Sequence, residues 1–387
     1  MRTGLVIVCL GACSFGTTIG TTIEQQPSDG ATGDGGTDTP VVIPDGPPGA
    51  WLAGYTYRKP VVITRTGTST LANFPVGIVF PADASLAAHA RPDGRDIVIT
   101  TGDAMSRIDS ELVSFGTNGA LELWTRVPTL PNAAMTILYM YYGGPATATN
   151  AAAVFPTARF KGVWHLSDMT PALAADSTPH AHALGTGGMA IPSSQLGVAG
   201  NGRMHDGVDD LLQIADPVDG SLDVGTQSFA YSVWLKSSGT VDMYDNPFFK
   251  GGTSTNNPGY CLMTGTFNPW IGKLHDGNAF VEIELTQATT LDAWLHMVIV
   301  LDRSTTPAKG RGYVNGIMQS EINVTLGSLN TTRELSLGAG SGGALYHGLL
   351  DEVRIYNTAL TADWIATEYA NLAVPGFLMK GNEEAMP

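Results

Sequence analysis

The chain has 387 residues, which is more than one ordinary β-sandwich needs and enough for two domains and a linker. Charged residues make up only 14%, whereas glycine (47) and proline (23) are abundant, and this composition favours an all-β protein with many short strands. The formal net charge of −15 repels phosphate backbones and therefore argues against nucleic acid as a partner.

Three cysteines occur, and two of them, Cys9 and Cys13, lie close to the N-terminus. The rest of the chain therefore lacks the pairs from which an internal disulfide framework is built. Cys261 is interpreted as a small buried side chain rather than a reactive thiol.

The N-terminus has a basic residue, Arg2, followed by a short apolar run over residues 5–10. Because this run is too short to cross a bilayer as a helix, it predicts a signal peptide at residues 1–12. Residues 10–13 read Leu-Gly-Ala-Cys and resemble the lipobox of bacterial lipoproteins. The resemblance implies export, lipid attachment at Cys13 and an anchor in the membrane, at the outer membrane or cell surface. The alternative is an ordinary signal peptide with a chance cysteine.

Residues 13–50 predict a disordered acidic tether. After Cys13 this stretch contains five acidic residues and no lysine or arginine, and glycine, threonine, proline and aspartate dominate it. Such a composition buries too little apolar surface to offset the entropy of the chain. We therefore expect a flexible linker that holds the folded part away from the membrane.

Residues 51–158 predict a first β-sandwich module, because short runs of alternating apolar and polar residues are separated by turn formers. Five segments resemble a bacterial domain of unknown function, DUF2341: residues 57–60, 73–76, 90–97, 124–128 and 139–143. That resemblance implies an exported protein, in which such a module often lies beside lectin-like domains, and it implies no particular chemistry.

Residues 159–375 predict a second, larger sandwich, and residues 376–387 a C-terminal tail. In the run 229–235, alternation places Phe229, Tyr231 and Val233 on one face of a strand. Seven segments resemble, in order, the laminin-G-like jelly roll of the concanavalin A-like lectins: residues 164–166, 176–184, 203–212, 227–236, 293–298, 312–316 and 348–360. The predicted fold class is therefore all-β, with two β-sandwich modules, the second a concanavalin A-like jelly roll, after a disordered tether.

The jelly-roll resemblance implies a calcium site that joins an early Asp-Ser loop to the closing strand. Matched residue by residue, this site takes the carboxylates of Asp176 and Asp351, with backbone carbonyls at Ser177 and Thr178. The alternative is structural, with Asp176 capping its own loop and Asp351 paired with Arg354.

His180 and His182 form a second candidate metal site. An i, i+2 pair on a strand points both rings to one side, which suits zinc. The sequence does not identify a third ligand, although His165 and His205 are considered. The favoured interpretation is a pair of surface loop histidines.

Aromatic and amide residues between positions 248 and 276 are typical of a sugar-binding surface. Within this region Tyr260, Trp270, Asn268 and His275 are predicted to contact a ligand. The alternative is that the aromatic side chains cover a hydrophobic edge.

Catalysis is the less favoured interpretation, because a glycosidase needs two carboxylates that face one groove. Asp351 and Glu352 are adjacent, so alternation along a strand predicts that they point to opposite faces. We therefore expect a surface-anchored, non-catalytic protein whose jelly roll recognises carbohydrate or glycoprotein. The alternatives are a structural or adhesive envelope protein that makes protein–protein contacts, and a polysaccharide hydrolase.

Overall fold

The computed structural model describes residues 50–148, 150–168, 174–238, 242–266, 269–287, 290–340 and 345–387. The predicted signal peptide and nearly all of the predicted tether lie outside these described residues. Within them, strands greatly outnumber helices and the named strands pair antiparallel, so the all-β prediction is confirmed.

The first module contains two sheets that share a hydrophobic core. Its strands are β1 (Tyr57–Thr64), β2 (Leu71–Phe80), β3 (Val98–Thr100), β4 (Arg107–Ile108), β5 (Ser110–Phe115), β6 (Leu121–Leu130) and β7 (Met135–Tyr142). One sheet has the order β1-β7-β3-β4, and the other has the order β2-β6-β5. Val61 of β1 and Leu123 of β6 bury their side chains in the same core, as a sandwich requires.

The second module is a larger two-sheet sandwich, which agrees with the predicted jelly roll. Its strands are β8 (Phe160–Trp164), β9 (Ser193–Leu196), β10 (Asn201–Asp206), β11 (Leu212–Ile214), β12 (Phe229–Ser237), β13 (Phe248–Lys250), β14 (Gly259–Thr264), β15 (Pro269–His275), β16 (Phe280–Gln287), β17 (Leu295–Asp302), β18 (Ala308–Val314), β19 (Ile317–Val324), β20 (Leu335–Leu337) and β21 (His347–Tyr356). The larger sheet has the order β19-β18-β17-β12-β21-β10-β9, with β8 also paired to β21. The smaller sheet has the order β11-β20-β13-β14-β15-β16.

Alternation in β12 orients its side chains as the sequence predicts. Phe229, Tyr231 and Val233 are buried in the core between the two jelly-roll sheets. Trp234 points to the opposite face and stacks on His296, with 4.9 Å between the ring centroids. The tryptophan is therefore a packing residue.

Three helices occur among the described residues: α1 (Ala84–His89), α2 (Ala151–Val154) and α3 (Ala362–Ala373). Thr361 caps α3, because its hydroxyl accepts a hydrogen bond from the Trp364 backbone N–H at 3.2 Å. Trp364 then packs on Phe74 of β2, with ring centroids 4.6 Å apart. None of the described helices is long and apolar enough to cross a membrane.

The C-terminal residues return to the first module. β22 (Leu378–Lys380) and β23 (Glu384–Ala385) both pair antiparallel with β1. The prediction of a tail at residues 376–387 is therefore wrong at these two strands. Without them β1 would be an edge strand with unpaired backbone groups, and the returning chain satisfies those groups.

One hydrophobic core extends across both modules. Val298 of β17 and Tyr356 of β21 belong to the same buried cluster as Val76 of β2. These jelly-roll side chains lie on the face of the larger sheet that points away from the smaller one. Helix α3 adds Ile365 to the cluster, and Phe377 adds its ring just before β22. The two modules are thus packed as one unit.

We predict that Phe377→Ala lowers the free energy of unfolding by about 3 kcal/mol, because it leaves a cavity in the shared core. Thermal unfolding monitored by circular dichroism should still show one transition, at a lower midpoint. Val218→Ala is the control, since this side chain is fully exposed. Two separate transitions, of which only one moves, would contradict a shared core.

Candidate functional site

The aromatic residues predicted to bind sugar lie inside the protein. Tyr260 and Trp270 are 1% and 0% exposed and belong to the core between the jelly-roll sheets. The Tyr260 hydroxyl donates to the Leu222 carbonyl at 3.1 Å. The prediction that these two residues form a ligand platform is therefore wrong. The register of β14 and β15 turns both rings inward, beside Leu262 and Leu274.

His275, another predicted ligand residue, does not lie on an exposed platform either. His275 is buried, its Nδ1 accepts a hydrogen bond from the Gly277 backbone N–H at 2.9 Å, and its ring stacks near Phe280. Burial lowers the pKa of His275, which keeps the imidazole neutral. Asn268 lies outside the described residues.

Asp176, the first predicted calcium ligand, caps its own loop. Its Oδ1 accepts from the Val163 and Thr178 backbone N–H groups at 3.0 and 2.9 Å. Its Oδ2 accepts from the Thr178 hydroxyl at 2.8 Å and from the His182 backbone N–H at 3.0 Å. This arrangement agrees with the structural alternative for Asp176.

Asp351, the second predicted calcium ligand, has a separate set of partners. Its Oδ2 accepts from the Val198 and Ala199 backbone N–H groups at 2.7 and 3.0 Å. Burial, reinforced by the nearby Glu352 carboxylate, raises the pKa of Asp351 well above its usual range. A neutral carboxyl is a poor calcium ligand. Among the described residues, neither aspartate lies in a group of three side chains that are close enough to share a metal ion. Calcium binding by this pair stays a prediction that the geometry does not favour.

The structural alternative for Asp351 is wrong about its partner. Arg354 pairs instead with Glu352 at 2.6 Å and with Glu368 of α3 at 3.2 Å. Arg354 also lies 4.4 Å from the ring centroid of Trp124, which comes from the first module. The charged side chains of β21 therefore point toward the boundary between the modules.

Three charged or titratable side chains converge at this boundary, and we call Glu122, His165 and Glu352 the interface triad. Glu122 comes from β6 of the first module, and the other two come from the second. The His165 Nδ1 atom lies 2.6 Å from Glu352 Oε1 and 3.9 Å from Glu122 Oε1. Each side chain is at least 95% buried, so the pairing takes place away from water.

A β-bulge brings Glu352 to this position. Between β12 and β21 the register shifts, so that Val233 opposes both Glu352 and Val353. Glu352 has a φ of +46°, in the left-handed region that side chains rarely occupy. The expectation that Asp351 and Glu352 point to opposite faces is therefore wrong, because strand alternation is interrupted between them.

Leu166, next to His165, has the same unusual backbone conformation, with a φ of +62°. Strained backbone of this kind persists only where the surroundings determine it, and it clusters at functional or switching sites. β21 pairs with β10 as far as Leu350 and with β8 from Val353, so the triad lies where one partner strand replaces the other.

Burial and the neighbouring charges shift the pKa values of all three triad side chains. Burial disfavours the imidazolium of His165, but Glu352 and Glu111 outweigh it and raise the pKa of His165 well above its usual range. Burial also opposes ionisation of Glu352, yet the charges of His165 and Arg354 lower its pKa. Burial raises the pKa of Glu122 to about 8, which keeps this carboxyl protonated at neutral pH.

An open cleft lies on the first module. Its volume is about 470 Å³, and residues from both sheets line it. Its polar lining comprises Asn73, Arg107, Asp109, Ser110, Arg126, Thr147 and Asn150. Its apolar lining includes Ile97, Ile108, Leu123 and Pro128. Sequence analysis missed this cleft, because its polar residues come from separate strands and loops.

An ion pair and an amide hold the polar side of the cleft in place. Arg126 donates from Nη2 to Asp109 Oδ2 at 3.1 Å. Asn150 donates from Nδ2 to Asp109 Oδ1 at 3.2 Å. All of these groups remain partly accessible, so they can exchange water for the hydroxyl groups of a ligand.

Residues 206–366 match the family model described as the concanavalin A-like lectin/glucanases superfamily. This range lies within the predicted second module. A search of curated proteins found no match to the chain.

Solved structures that resemble part of this chain include three protein domains. The binding domain of Paraclostridial Mosquitocidal Protein 1 is 12% identical, with a TM-score of 0.44, over 55% of this chain and 52% of that one. The fourth domain of an extracellular arabinanase from Geobacillus stearothermophilus, solved with arabinotriose, is 15% identical, with a TM-score of 0.40, over 55% and 98%. The binding domain of botulinum neurotoxin DC, solved with rat synaptotagmin II, is 14% identical, with a TM-score of 0.43, over 56% and 52%. The chain thus spans about half the length of the two toxin domains.

We predict that Glu122→Gln flattens the dependence of stability on pH. The pKa of Glu122 is about 8 when folded and 4.5 as its ordinary value, so the folded chain holds an extra proton between these pH values. The stability linked to that proton is lost as pH rises toward 8. Between about pH 6 and about pH 9, wild-type chain should lose about 2 kcal/mol more than the variant in urea unfolding.

Glu282→Gln is the matched control, because Glu282 is exposed and pairs with Lys273 at the surface. It should keep the wild-type slope. Since His165 also has a raised pKa, part of the slope should remain in Glu122→Gln. Identical slopes for wild type and Glu122→Gln would show that Glu122 is ionised in the folded chain.

Proposed function

We propose that this chain is a non-catalytic binding protein, held at a bacterial surface by lipid on Cys13, which recognises carbohydrate or the sugar part of a glycoprotein. The observation that carries the proposal is the open cleft on the first module, with its mixed polar and apolar lining. We assign ligand binding to this cleft rather than to the aromatic residues of the jelly roll, because the side chains of Tyr260 and Trp270 are buried in the core.

The chemistry of the cleft suits a sugar. Hydroxyl groups both donate and accept hydrogen bonds, and the cleft offers guanidinium donors at Arg107 and Arg126, a carboxylate acceptor at Asp109 and an amide at Asn150. The apolar faces of a sugar ring can pack on side chains such as Ile108. Specific recognition would come from the few polar groups that converge there.

Several observations support binding without catalysis. The carboxylates that converge most closely across the modules, Glu122 and Glu352, are buried and hydrogen-bonded inside the protein. A glycosidase instead places two carboxylates on either side of a bond in an accessible groove. In the cleft, Asp109 is engaged by Arg126, which favours a positioning role for this carboxylate.

The jelly roll supports the cleft in this proposal. The outer face of its larger sheet is already covered by the first module and by α3, within the shared core. A rigid body that holds the cleft at the end of a long acidic linker would present it to polymers outside the cell. In the alternative, a structural or adhesive protein, the exposed surface would bind another protein and the cleft would retain no sugar.

We predict that Cys13→Ser releases the protein from membranes, because only a thiol can accept the lipid. The measurement is the distribution of the protein between membrane and soluble fractions, with intact-mass analysis of the N-terminus. Cys9→Ser is the control, since this nearby cysteine lies inside the predicted signal peptide. If both variants remain in the membrane fraction with unchanged mass, the lipid anchor is excluded.

We predict that Arg126→Ala reduces the retention of any bound polysaccharide by about tenfold, because it removes a guanidinium donor and frees Asp109. The measurement is binding to a glycan array, followed by titration of the strongest ligand. Arg91→Ala is the control, because Arg91 forms an exposed pair with Asp93 outside the cleft lining. Glycan binding that is equal in both variants would exclude the cleft, and an array without any bound glycan would favour the adhesive alternative.

A further inference from the structure

Two histidines of the jelly roll have parallel rings. The ring centroids of His180 and His182 are 5.4 Å apart, and the ring planes differ by 2°. They lie in a loop, which agrees with the favoured interpretation of the sequence, although His182 is buried rather than at the surface. Ala181, between them, has a φ of +54°, which is unusual for a residue other than glycine. The backbone is therefore held in a strained conformation at the position that aligns the two rings.

The surrounding structure fixes this conformation. Asp176 accepts hydrogen bonds from the backbone N–H groups of Thr178 and His182 at 2.9 and 3.0 Å. The indole N–H of Trp164 donates to the His182 carbonyl at 2.8 Å. Because Trp164 is itself buried, the loop is attached to the core of the jelly roll.

A third metal-ligand group comes from a distant turn. The Gly220 backbone N–H donates to the Pro217 carbonyl at 2.9 Å, and this turn carries Asp219. One ligand atom each from Asp219, His180 and His182 all lie within 4.8 Å of one another. Two histidines and one carboxylate are a donor set that zinc commonly uses in proteins.

Ser221 connects the carboxylate to one of the rings. Its hydroxyl donates to Asp219 Oδ1 at 2.6 Å and lies 2.5 Å from His182 Nε2. The Ser221 backbone N–H also donates to Asp219 Oδ1, at 3.0 Å. These contacts orient the Asp219 carboxylate and the His182 ring toward each other before any ion is bound.

The protonation states of His182 and Asp219 are those that a metal ion requires of its ligands. Burial lowers the pKa of His182, which favours the neutral imidazole that binds a metal. The hydrogen bonds from Ser221 lower the pKa of Asp219, which favours the ionised carboxylate. His180 is partly exposed and Asp219 is exposed, so an ion can enter from solvent. Lys161 lies nearby and donates to the Ser221 carbonyl at 3.0 Å.

We propose that His180, His182 and Asp219 bind one zinc ion, with Ser221 as the residue that positions two of the ligands. The ion would join the loop after β8 to the turn before β12, and water or an external ligand would complete its coordination. The charged groups around it are the carboxylates of Asp176 and Asp223 and the ammonium of Lys161. A calcium ion would require more oxygen ligands than this site provides. The site is independent of the carbohydrate cleft, and either can exist without the other.

The experiment is a titration of the full chain with zinc chloride by isothermal calorimetry. All proteins carry Cys9→Ser and Cys13→Ser, so that the N-terminal thiols cannot bind the ion. We expect one zinc ion per parent chain, and an affinity weakened about tenfold or more by His180→Ala and by Asp219→Asn. His347→Ala is the control, because His347 belongs to none of the groups of described side chains that are close enough to share a metal ion. This variant should bind zinc like the parent.

Two further measurements separate the site from a general effect of the mutations. Cobalt chloride should give visible absorption bands of a low-symmetry site with the parent and not with Asp219→Asn. Zinc should raise the thermal midpoint of the parent but not of Asp219→Asn, while all the metal-free proteins melt at similar temperatures. Equal zinc affinity in Asp219→Asn, His180→Ala and His347→Ala would overturn the proposal, and so would a parent that binds no zinc.

Discussion

The joining of the two modules depends on one shared hydrophobic core, and the buried ion pair between His165 and Glu352 lies where the modules meet. Removing two charges from water is costly, and the cost is recovered only when each remaining polar group has a partner. The first module places two carboxyl groups close to this pair, because Glu122 lies 3.9 Å from His165 Nδ1 and Glu111 lies 3.5 Å from His165 Nε2. The ring of Trp124 stacks on His165 as well. The first module therefore covers the charged side chains that the jelly roll presents at the boundary.

The same two strands connect this boundary to the cleft. β5 contributes Ser110 to the cleft and the adjacent Glu111 to the contact with His165. β6 contributes Arg126 to the cleft and Glu122 to the triad. Ser110 and Glu111 are neighbours on β5 and therefore point to opposite faces, whereas Glu122 and Arg126 lie four residues apart on the same face of β6. A shift of these strands would disturb docking and the cleft together, which is a physical reason for the two modules to be packed as one unit.

Local sequence signals predicted a large part of the fold. The alternation in β12, which was predicted, depends on residues close in sequence. The cap at Thr361 and the hairpin at Asn315-Gly316, whose φ angles are +50° and +80°, are local features of the same kind. Features that depend on distant partners were missed. The pairing of residues 378–385 with β1 requires an open strand edge more than three hundred residues earlier. The bulge at Glu352 is defined only by its register with β12, which a single strand does not reveal.

The candidate site was harder to predict for a related reason. Composition identifies aromatic and amide residues, but it does not say which face of a strand they occupy. Tyr260 and Trp270 alternate with residues on the other face, and the register with their neighbours turned both rings into the core. The cleft, by contrast, gathers Asn73, Asp109 and Asn150 from three separate elements, none of which carries a motif. A surface assembled in this way becomes visible only when strand register and module docking are known together.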